Sequence, residues 1–185
     1  MKVRSTALHG VVVVETSPVA DQRGAFARLF CERELATVFG DRHIVQINHS
    51  RTNAVGAVRG LHYQRPPHAE MKLVRCLKGR VWDVAVDLRA DSPTFLQWHA
   101  EELTPGNTRM LVIPEGCAHG FQVLEASSEL LYLHTAPYTP AAEGGLCHDD
   151  PRVGLLWPLP VVDLSERDRR HPLIAPDFPG FNITV

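Results

Sequence analysis

Residues 58–76, VRGLHYQRPPHAEMKLVRC, are read as two β-strands joined by a proline-rich turn. The stretch brings Arg59, His62 and Lys72 close together in sequence, so two cations and a titratable imidazole would face one space. A neutral imidazole is a base near pH 7, so this set suits an anionic substrate that must lose a proton. Side chains two apart share a strand face, which places Arg59 opposite His62 unless a bulge re-aims it. The alternation of side chains along each strand does not decide whether Lys72 faces His62.

The β pattern extends outward from this stretch over residues 57–138. Turn signals recur there at intervals of about 8–12 residues, which is typical of a sandwich or barrel. Lys78-Gly79 predicts a hairpin, and alternation in residues 81–88 predicts a strand with two distinct faces. Helical signals occur at Cys31–Phe39 and, in a proline-rich tail, at Ser165–Arg170. We therefore predict one antiparallel, all-β domain with short peripheral helices.

Composition narrows the class of protein. The chain has 185 residues, of which 44% are hydrophobic and 22% charged, with a formal net charge of −2. These values are ordinary for a globular domain and give no broad attraction to nucleic acid or membrane, so anion binding must come from a local cluster. No apolar run approaches the roughly 20 residues that a membrane helix needs. The four cysteines include no CxxC pair and are expected to be reduced in a cytoplasmic protein.

Residues 114–119, PEGCAH, have the PxGxxH spacing of a strand turn in cupins, where the histidine is often a metal ligand. The upstream HxH element of metal-binding cupins is absent, because Gln64 stands two residues after His62. A first-row metal needs about three well-placed nitrogen or carboxylate ligands, so the match predicts the fold and the mismatch argues against a metal. A metal-dependent cupin remains an alternative, with the candidate ligands His62, His68, Glu70 and His119.

Several other polar residues have an ordinary structural interpretation on their own evidence. His119 is either a buried, hydrogen-bonded histidine or a binding residue, and Tyr132 is a core aromatic with its hydroxyl at the edge. Asp168 reads as an exposed carboxylate in a helix cap, and Arg23 as a solvated turn charge. A lone histidine on a strand, such as His62, is also more often structural than catalytic.

The order of short motifs along nearly the whole chain changes these interpretations. These motifs are Asp21–Phe26, Gln46–Ser50, Arg59–Gln64, Lys72–Arg75, Asp83–Arg89, Ser92–Phe95, Ile113–Gly116, Ala118–Phe121, Asp149–Pro151 and Trp157-Pro158. Taken together in this order, they resemble the RmlC-like family of dTDP-4-dehydrorhamnose 3,5-epimerases.

This resemblance implies a fold and an activity. The fold is a cupin-type jelly-roll, as a single domain over residues 1–185 with a core of about residues 44–140 and a C-terminal wrap of residues 149–185. The activity is epimerisation of a dTDP-4-keto-6-deoxyhexose at C3, C5 or both, through an enolate. The family implies a homodimer built by strand exchange, and neither a metal nor an organic cofactor. A non-catalytic sugar-nucleotide-binding cupin is a further alternative.

The resemblance also implies residue roles. His62 matches the catalytic base, Asp168 its carboxylate partner, Tyr132 the general acid and Lys72 the cation near the C4 oxygen of the sugar. Arginine suits bidentate phosphate recognition, and two of the implied substrate contacts are arginines at the diphosphate. The substrate-binding positions are Arg23, Phe26, Gln46, Asn48, Arg59, His119 and Tyr138.

Five residues depart from the family pattern: Glu70, Met71, Cys117, Leu133 and His134. We expect these positions to border the sugar pocket. They leave open which sugar is bound and whether one centre or two is inverted.

Overall fold

Two antiparallel sheets pack face to face and form a cupin-type jelly-roll, as predicted. The computed structural model describes residues 1–183. Its strands are β1 (Lys2–Ser5), β2 (Val12–Glu15), β3 (Val19–Asp21), β4 (Gly24–Phe26), β5 (Gln46–Thr52), β6 (Val58–Gln64), β7 (Lys72–Lys78), β8 (Val81–Asp87), β9 (Trp98–Leu103), β10 (Arg109–Ile113), β11 (Cys117–Val123), β12 (Ser128–His134) and β13 (Glu143–Gly145).

The order of strands separates neighbours in sequence. The six-stranded sheet runs β1-β2-β10-β7-β12-β5, and the five-stranded sheet runs β13-β6-β11-β8-β9. The strands on either side of the proline-rich turn, β6 and β7, therefore lie in opposite sheets and face each other across the interior. Because β1 and β2 belong to the larger sheet, the barrel extends beyond residues 44–140.

The predicted hairpin at Lys78-Gly79 is wrong. Strand β7 pairs with β10 and β12, whereas β8 pairs with β9 and β11, so the turn carries the chain from one sheet to the other. Gly79 takes a φ of +76°, a conformation that glycine adopts without steric cost, so the chain does turn at this point. Local sequence marks a change of direction, but the pairing partner of each strand depends on distant residues.

Each sheet packs apolar residues on both of its faces. The interior between them holds a core that includes Val74, Val81 and Phe121. Segment 30–39 covers the outside of the larger sheet, and residues of segment 146–181 cover the outside of the smaller one. The predicted alternation in residues 81–88 is confirmed, because the even-numbered residues of this strand pack outward and the odd-numbered ones inward.

Within residues 1–183 two α-helices have four residues each, α1 (Ala36–Phe39) and α2 (Glu166–Arg169), and Pro140–Ala142 form a 3₁₀-helix. The first is shorter than the predicted Cys31–Phe39: residues 32–35 form turns instead, and Leu35 makes no side-chain capping bond. The second follows the prediction, since the Ser165 side chain accepts a hydrogen bond from the Asp168 backbone N–H. No helix in residues 1–183 is long and apolar enough to cross a membrane.

Candidate active site

A polar cavity of about 240 Å³ occupies one end of the barrel interior, beyond the apolar core. Strands of both sheets contribute to its walls, so residues distant in sequence converge there. Its lining residues are Gln46, Asn48, His49, Ser50, Arg59, His62, Tyr63, Gln64, Glu70, Lys72, His119, Phe121, Tyr132, His134, Tyr138 and Glu143.

A bulge in β6 turns Arg59 toward this cavity. In the pairing of β6 with β11, His62 lies opposite His119 and Arg59 opposite Phe121, so β6 contains one extra residue. Gly60 lies in the bulge with a φ of +112°, and a Cβ there would meet the Gly120 Cα at 2.7 Å. Only glycine fits this close approach, which places Arg59 and His62 on the walls of one cavity.

His62 is held by a buried carboxylate from the C-terminal tail. Its Nε2 lies 2.8 Å from Asp168 Oδ1, and the Gly60 backbone N–H donates to Asp168 Oδ2 at 3.1 Å. Because a carboxylate only accepts, Nε2–H donates and the lone pair of neutral His62 stays on Nδ1. Burial alone would raise the pKa of Asp168, but the bonds from His62 and Gly60 lower it to about 2. Asp168 is 3% exposed, so its interpretation as an exposed cap is wrong.

His119 has a buried partner of its own. Its Nε2 lies 2.8 Å from Oδ1 of Asp83, which is fully buried on β8. Burial raises the pKa of Asp83, and the neighbouring His119 opposes that shift. His119 is thus both a buried, hydrogen-bonded histidine and a wall of the cavity, so the two interpretations of its role are compatible.

Tyr132 enters the cavity from β12 of the larger sheet, on the wall opposite His62. Its hydroxyl lies 2.9 Å from the Ser50 hydroxyl on the neighbouring strand. Burial raises the pKa of Tyr132 well above its ordinary value, so the phenol stays protonated at neutral pH. Such a group can deliver a proton, and Ser50 can donate to the oxygen left behind.

Lys72 lies on the same wall as Tyr132, opposite His134 in the pairing of β7 with β12. Its Nζ is 3.2 Å from Glu70, and Glu70 also accepts from His134 Nδ1 at 2.8 Å. His134 Nε2 in turn accepts from the Asn48 amide at 3.2 Å. Burial would raise the pKa of Glu70, but His134 and Lys72 hold it below its usual value. An ionised Glu70 therefore anchors the Lys72 ammonium.

The departures from the family pattern divide into two groups. Glu70 and His134 line the cavity, as expected. Met71 and Leu133 instead pack with the apolar residues under α1, and Cys117 is buried in the interior core. The expectation that all five border the pocket is therefore wrong for these three, because strand alternation turns them to the other face or deeper into the core.

Two predicted substrate contacts lie elsewhere in this chain. Arg23 and Phe26 belong to the β3–β4 hairpin, a separate two-stranded sheet whose six strand residues are all exposed. Arg23 pairs with Asp21 of the same hairpin, and Phe26 is 74% exposed. By contrast, Gln46 and Tyr138 join at the cavity rim, where the Tyr138 N–H donates to the Gln46 amide oxygen at 3.0 Å.

The candidate metal ligands do not converge. His119 is committed to Asp83, and Glu70 to His134 and Lys72. His68 is exposed on the proline-rich turn. Only His62 and His119 of the four face each other, across the pairing of β6 with β11.

Sequence reasoning missed three residues of the site. Ser50 could have been found, because it shares a strand face with Gln46 and Asn48. Asp83 belongs to one of the matching motifs, but the sequence did not predict its contact with His119. That contact depends on the pairing of β8 with β11. The third residue is His171, whose place beside His62 depends on the path of the C-terminal tail.

The chain matches the family model described as dTDP-4-dehydrorhamnose 3,5-epimerase over residues 5–176. It is 43% identical over 177 residues to the enzyme of that name from Pseudomonas aeruginosa, covering 95% of this chain and 97% of that protein. The solved dTDP-6-deoxy-D-glucose-3,5-epimerase of Legionella pneumophila, in complex with dTDP-4-keto-L-rhamnose, superposes with a TM-score of 0.92 at 35% identity. That comparison covers 100% of this chain and 99% of the other.

A 3'-monoepimerase from Streptomyces bikiniensis, solved in complex with dTDP-quinovose, is also similar. Its TM-score is 0.84 at 29% identity, with 91% of this chain and 85% of that chain covered. The family match spans residues 5–176, and the similar solved chains share the fold. The chain therefore belongs to the dTDP-4-dehydrorhamnose 3,5-epimerase family of isomerases.

Proposed function

We propose that this protein epimerises a dTDP-4-keto-6-deoxyhexose at C3 and C5, within one domain whose C-terminal wrap supplies Asp168. The observation that carries the proposal is the arrangement of proton-transfer groups on opposite walls. His62 comes from the five-stranded sheet, and Tyr132 from the six-stranded sheet. Inversion of a carbon centre requires a proton to leave one face and another to arrive on the opposite face, and this arrangement supplies both.

The first half of the reaction uses His62 and Lys72. A C–H bond next to the C4 ketone breaks, its proton passes to His62 Nδ1, and its electron pair moves onto the carbonyl oxygen as an enolate. Asp168 stabilises the resulting imidazolium through Nε2–H. The Lys72 ammonium stabilises the enolate oxygen, because a cation placed where negative charge develops lowers the barrier.

The second half uses Tyr132. Its hydroxyl gives a proton to the enolate carbon from the face opposite His62, the C4 ketone re-forms, and the centre is inverted. The phenolate regains its proton from solvent, and His62 releases its own. Burial keeps Tyr132 protonated until the enolate forms, since its pKa is raised.

Arg59 suits the diphosphate of the substrate. It lines the cavity and also an adjoining hollow of about 450 Å³, which Arg167 lines too. A sugar in the first space and a diphosphate at Arg59 would place the nucleotide toward the second. Guanidinium groups bind phosphate in bidentate geometry. Because the net charge of the chain is −2, the positive charge that a diphosphate needs must come from local arginines such as these.

A homodimer built by strand exchange would bring Arg23 and Phe26 to a cavity. Their hairpin makes no sheet pairing with the barrel among residues 1–183, and it exposes Val19 and Phe26, each 74% accessible. Strand β5 is a sheet edge beside the cavity, and it exposes Ile47. An unpaired edge and an exposed apolar hairpin are surfaces that a second copy of the chain can cover.

Variants of Arg23 test whether this residue contacts substrate in the cavity of the other subunit. We expect Arg23→Ala to raise KM for the dTDP-sugar roughly tenfold, since a charge-assisted hydrogen bond contributes about 1.5–3 kcal/mol. The exposed Arg33→Ala is the control and should leave KM unchanged.

Co-expressed, differently tagged His62→Ala and Arg23→Ala subunits should form dimers in which one site has both wild-type residues and a wild-type KM. A raised KM in those dimers would place Arg23 in its own subunit's site.

Hydrogen exchange tests the proposed function itself. Incubated in heavy water with a dTDP-4-keto-6-deoxyhexose, the protein should place deuterium at both C3 and C5, read by NMR at each position. Deuterium at one carbon alone would favour a single-centre epimerase, and sugar-nucleotide binding without exchange would favour a non-catalytic cupin. Exchange that is lost on chelation and restored by one divalent metal would favour a metal-dependent cupin.

A further inference from the structure

A second imidazole lies against the His62–Asp168 pair. His171 follows α2, and its ring packs edge-to-face on the His62 ring with centroids 5.4 Å apart and an interplanar angle of 80°. Its Nε2 is 3.4 Å from Asp168 Oδ1, the oxygen that already bonds His62. This buried nitrogen has no hydrogen-bond partner within residues 1–183, so Asp168 is the acceptor nearest to satisfying it.

The fold makes room for this ring at Gly145. Gly145 lies opposite His62 in the pairing of β13 with β6. A Cβ on Gly145 would lie 2.1–2.2 Å from three atoms of the His171 ring, so the imidazole occupies the space of the missing side chain. His171 is therefore held between a strand and the catalytic pair.

Charged groups around His171 come from three elements. His62 faces it from β6, Asp168 and Arg167 from α2, and Glu143 of β13 pairs with Arg167. Burial lowers the pKa of His171, and repulsion from His62 and Arg167 lowers it further against the attraction of Asp168. A lone pair on Nε2 facing a carboxylate oxygen is unfavourable, so Nε2 carries hydrogen and points at Asp168.

We propose that His171 is a positioning residue that shares the Asp168 carboxylate with His62 and thereby extends the action of His62 as a base to lower pH. A neutral His171 points its Nε2–H at Oδ1 from 3.4 Å, and this dipole weakens the pull of Asp168 on the His62 imidazolium. A protonated His171 repels that imidazolium directly. In both states the proton on His62 is held less firmly, and the neutral base persists further into acid. The inference rests on the proposed epimerase function.

The test compares His171→Phe with the wild-type protein. Phenylalanine keeps a ring against Gly145 and His62 but removes the nitrogen that faces Asp168. Deuterium incorporation into the dTDP-4-keto-6-deoxyhexose is measured between about pH 5.5 and 8.5, which brackets the ordinary histidine value of about 6.5. We expect the ratio of the rate near pH 6 to that near pH 8 to fall roughly threefold to tenfold, as for a titration moved up by about one unit.

A second variant moves the imidazole without removing it. Gly145→Ala should displace the ring and lower the same ratio, whereas Gly106→Ala is the matched control, since a Cβ there meets only Thr104 Oγ1 at 3.8 Å. A ratio equal to wild type in folded His171→Phe, whether its rates are kept or reduced uniformly, would overturn the inference. Absence of exchange in the wild-type protein at every pH would instead overturn the proposed function.

Discussion

His62→Ala should abolish deuterium exchange at both C3 and C5 of the dTDP-4-keto-6-deoxyhexose. His62 is the proposed base for both positions, and removal of a general base costs typically 10²–10⁴-fold in rate. The expected loss is at the upper end of that range, because Asp168 accepts from the Gly60 N–H and does not line the cavity, so it cannot take over the proton. Position-resolved NMR in heavy water measures both carbons in one experiment.

The control for this variant is His43→Ala. His43 is a histidine of the protein surface whose ring pairs with Glu32, so its loss should leave exchange at wild-type rates. Binding of dTDP to His62→Ala, measured by calorimetry, should persist, because the nucleotide contacts are assigned to arginines. Exchange that survives at one carbon would mean that a different group serves as the base for that centre.

The fold was predictable because its signals are local and repeated. Alternation in residues 81–88 fixed the two faces of β8, and the Ser165 cap fixed the start of α2. The hairpin at Lys78-Gly79 failed for a physical reason. A glycine turn reverses the chain in the same way whether the next strand joins the same sheet or the opposite one, and pairing with distant strands decides between these.

The candidate site was predictable only in part. The family resemblance assigned roles to His62, Tyr132 and Lys72, yet strand phase could not orient Arg59, because the bulge at Gly60 depends on its close approach to Gly120. Asp168 looked exposed because its helix is polar in sequence. Its burial arises from tertiary contact with β6, 108 residues away from the Gly60 amide that binds it.

Tyr132→Phe should separate the two halves of the reaction. Loss of the proposed acid should slow product formation roughly 10²-fold or more, while proton removal by His62 continues. The imidazolium of His62 exchanges its proton with solvent and returns deuterium to the face it came from. Substrate recovered from the variant should therefore carry deuterium at a carbon that keeps its original configuration. The wild-type protein would instead convert the same substrate to the inverted product. NMR of the recovered sugar measures separately how much deuterium each carbon carries and whether its configuration is inverted.

Tyr63→Phe is the matched control, since Tyr63 lines the same cavity but has no proposed role in proton transfer. Its variant should make product and exchange hydrogen in the wild-type proportion. Ser50→Ala should show a weaker form of the Tyr132→Phe result, because Ser50 bonds the Tyr132 hydroxyl at 2.9 Å and can stabilise the phenolate. Equal loss of exchange and product in Tyr132→Phe would argue against Tyr132 as the acid, because a group acting only after enolate formation cannot limit the first proton transfer.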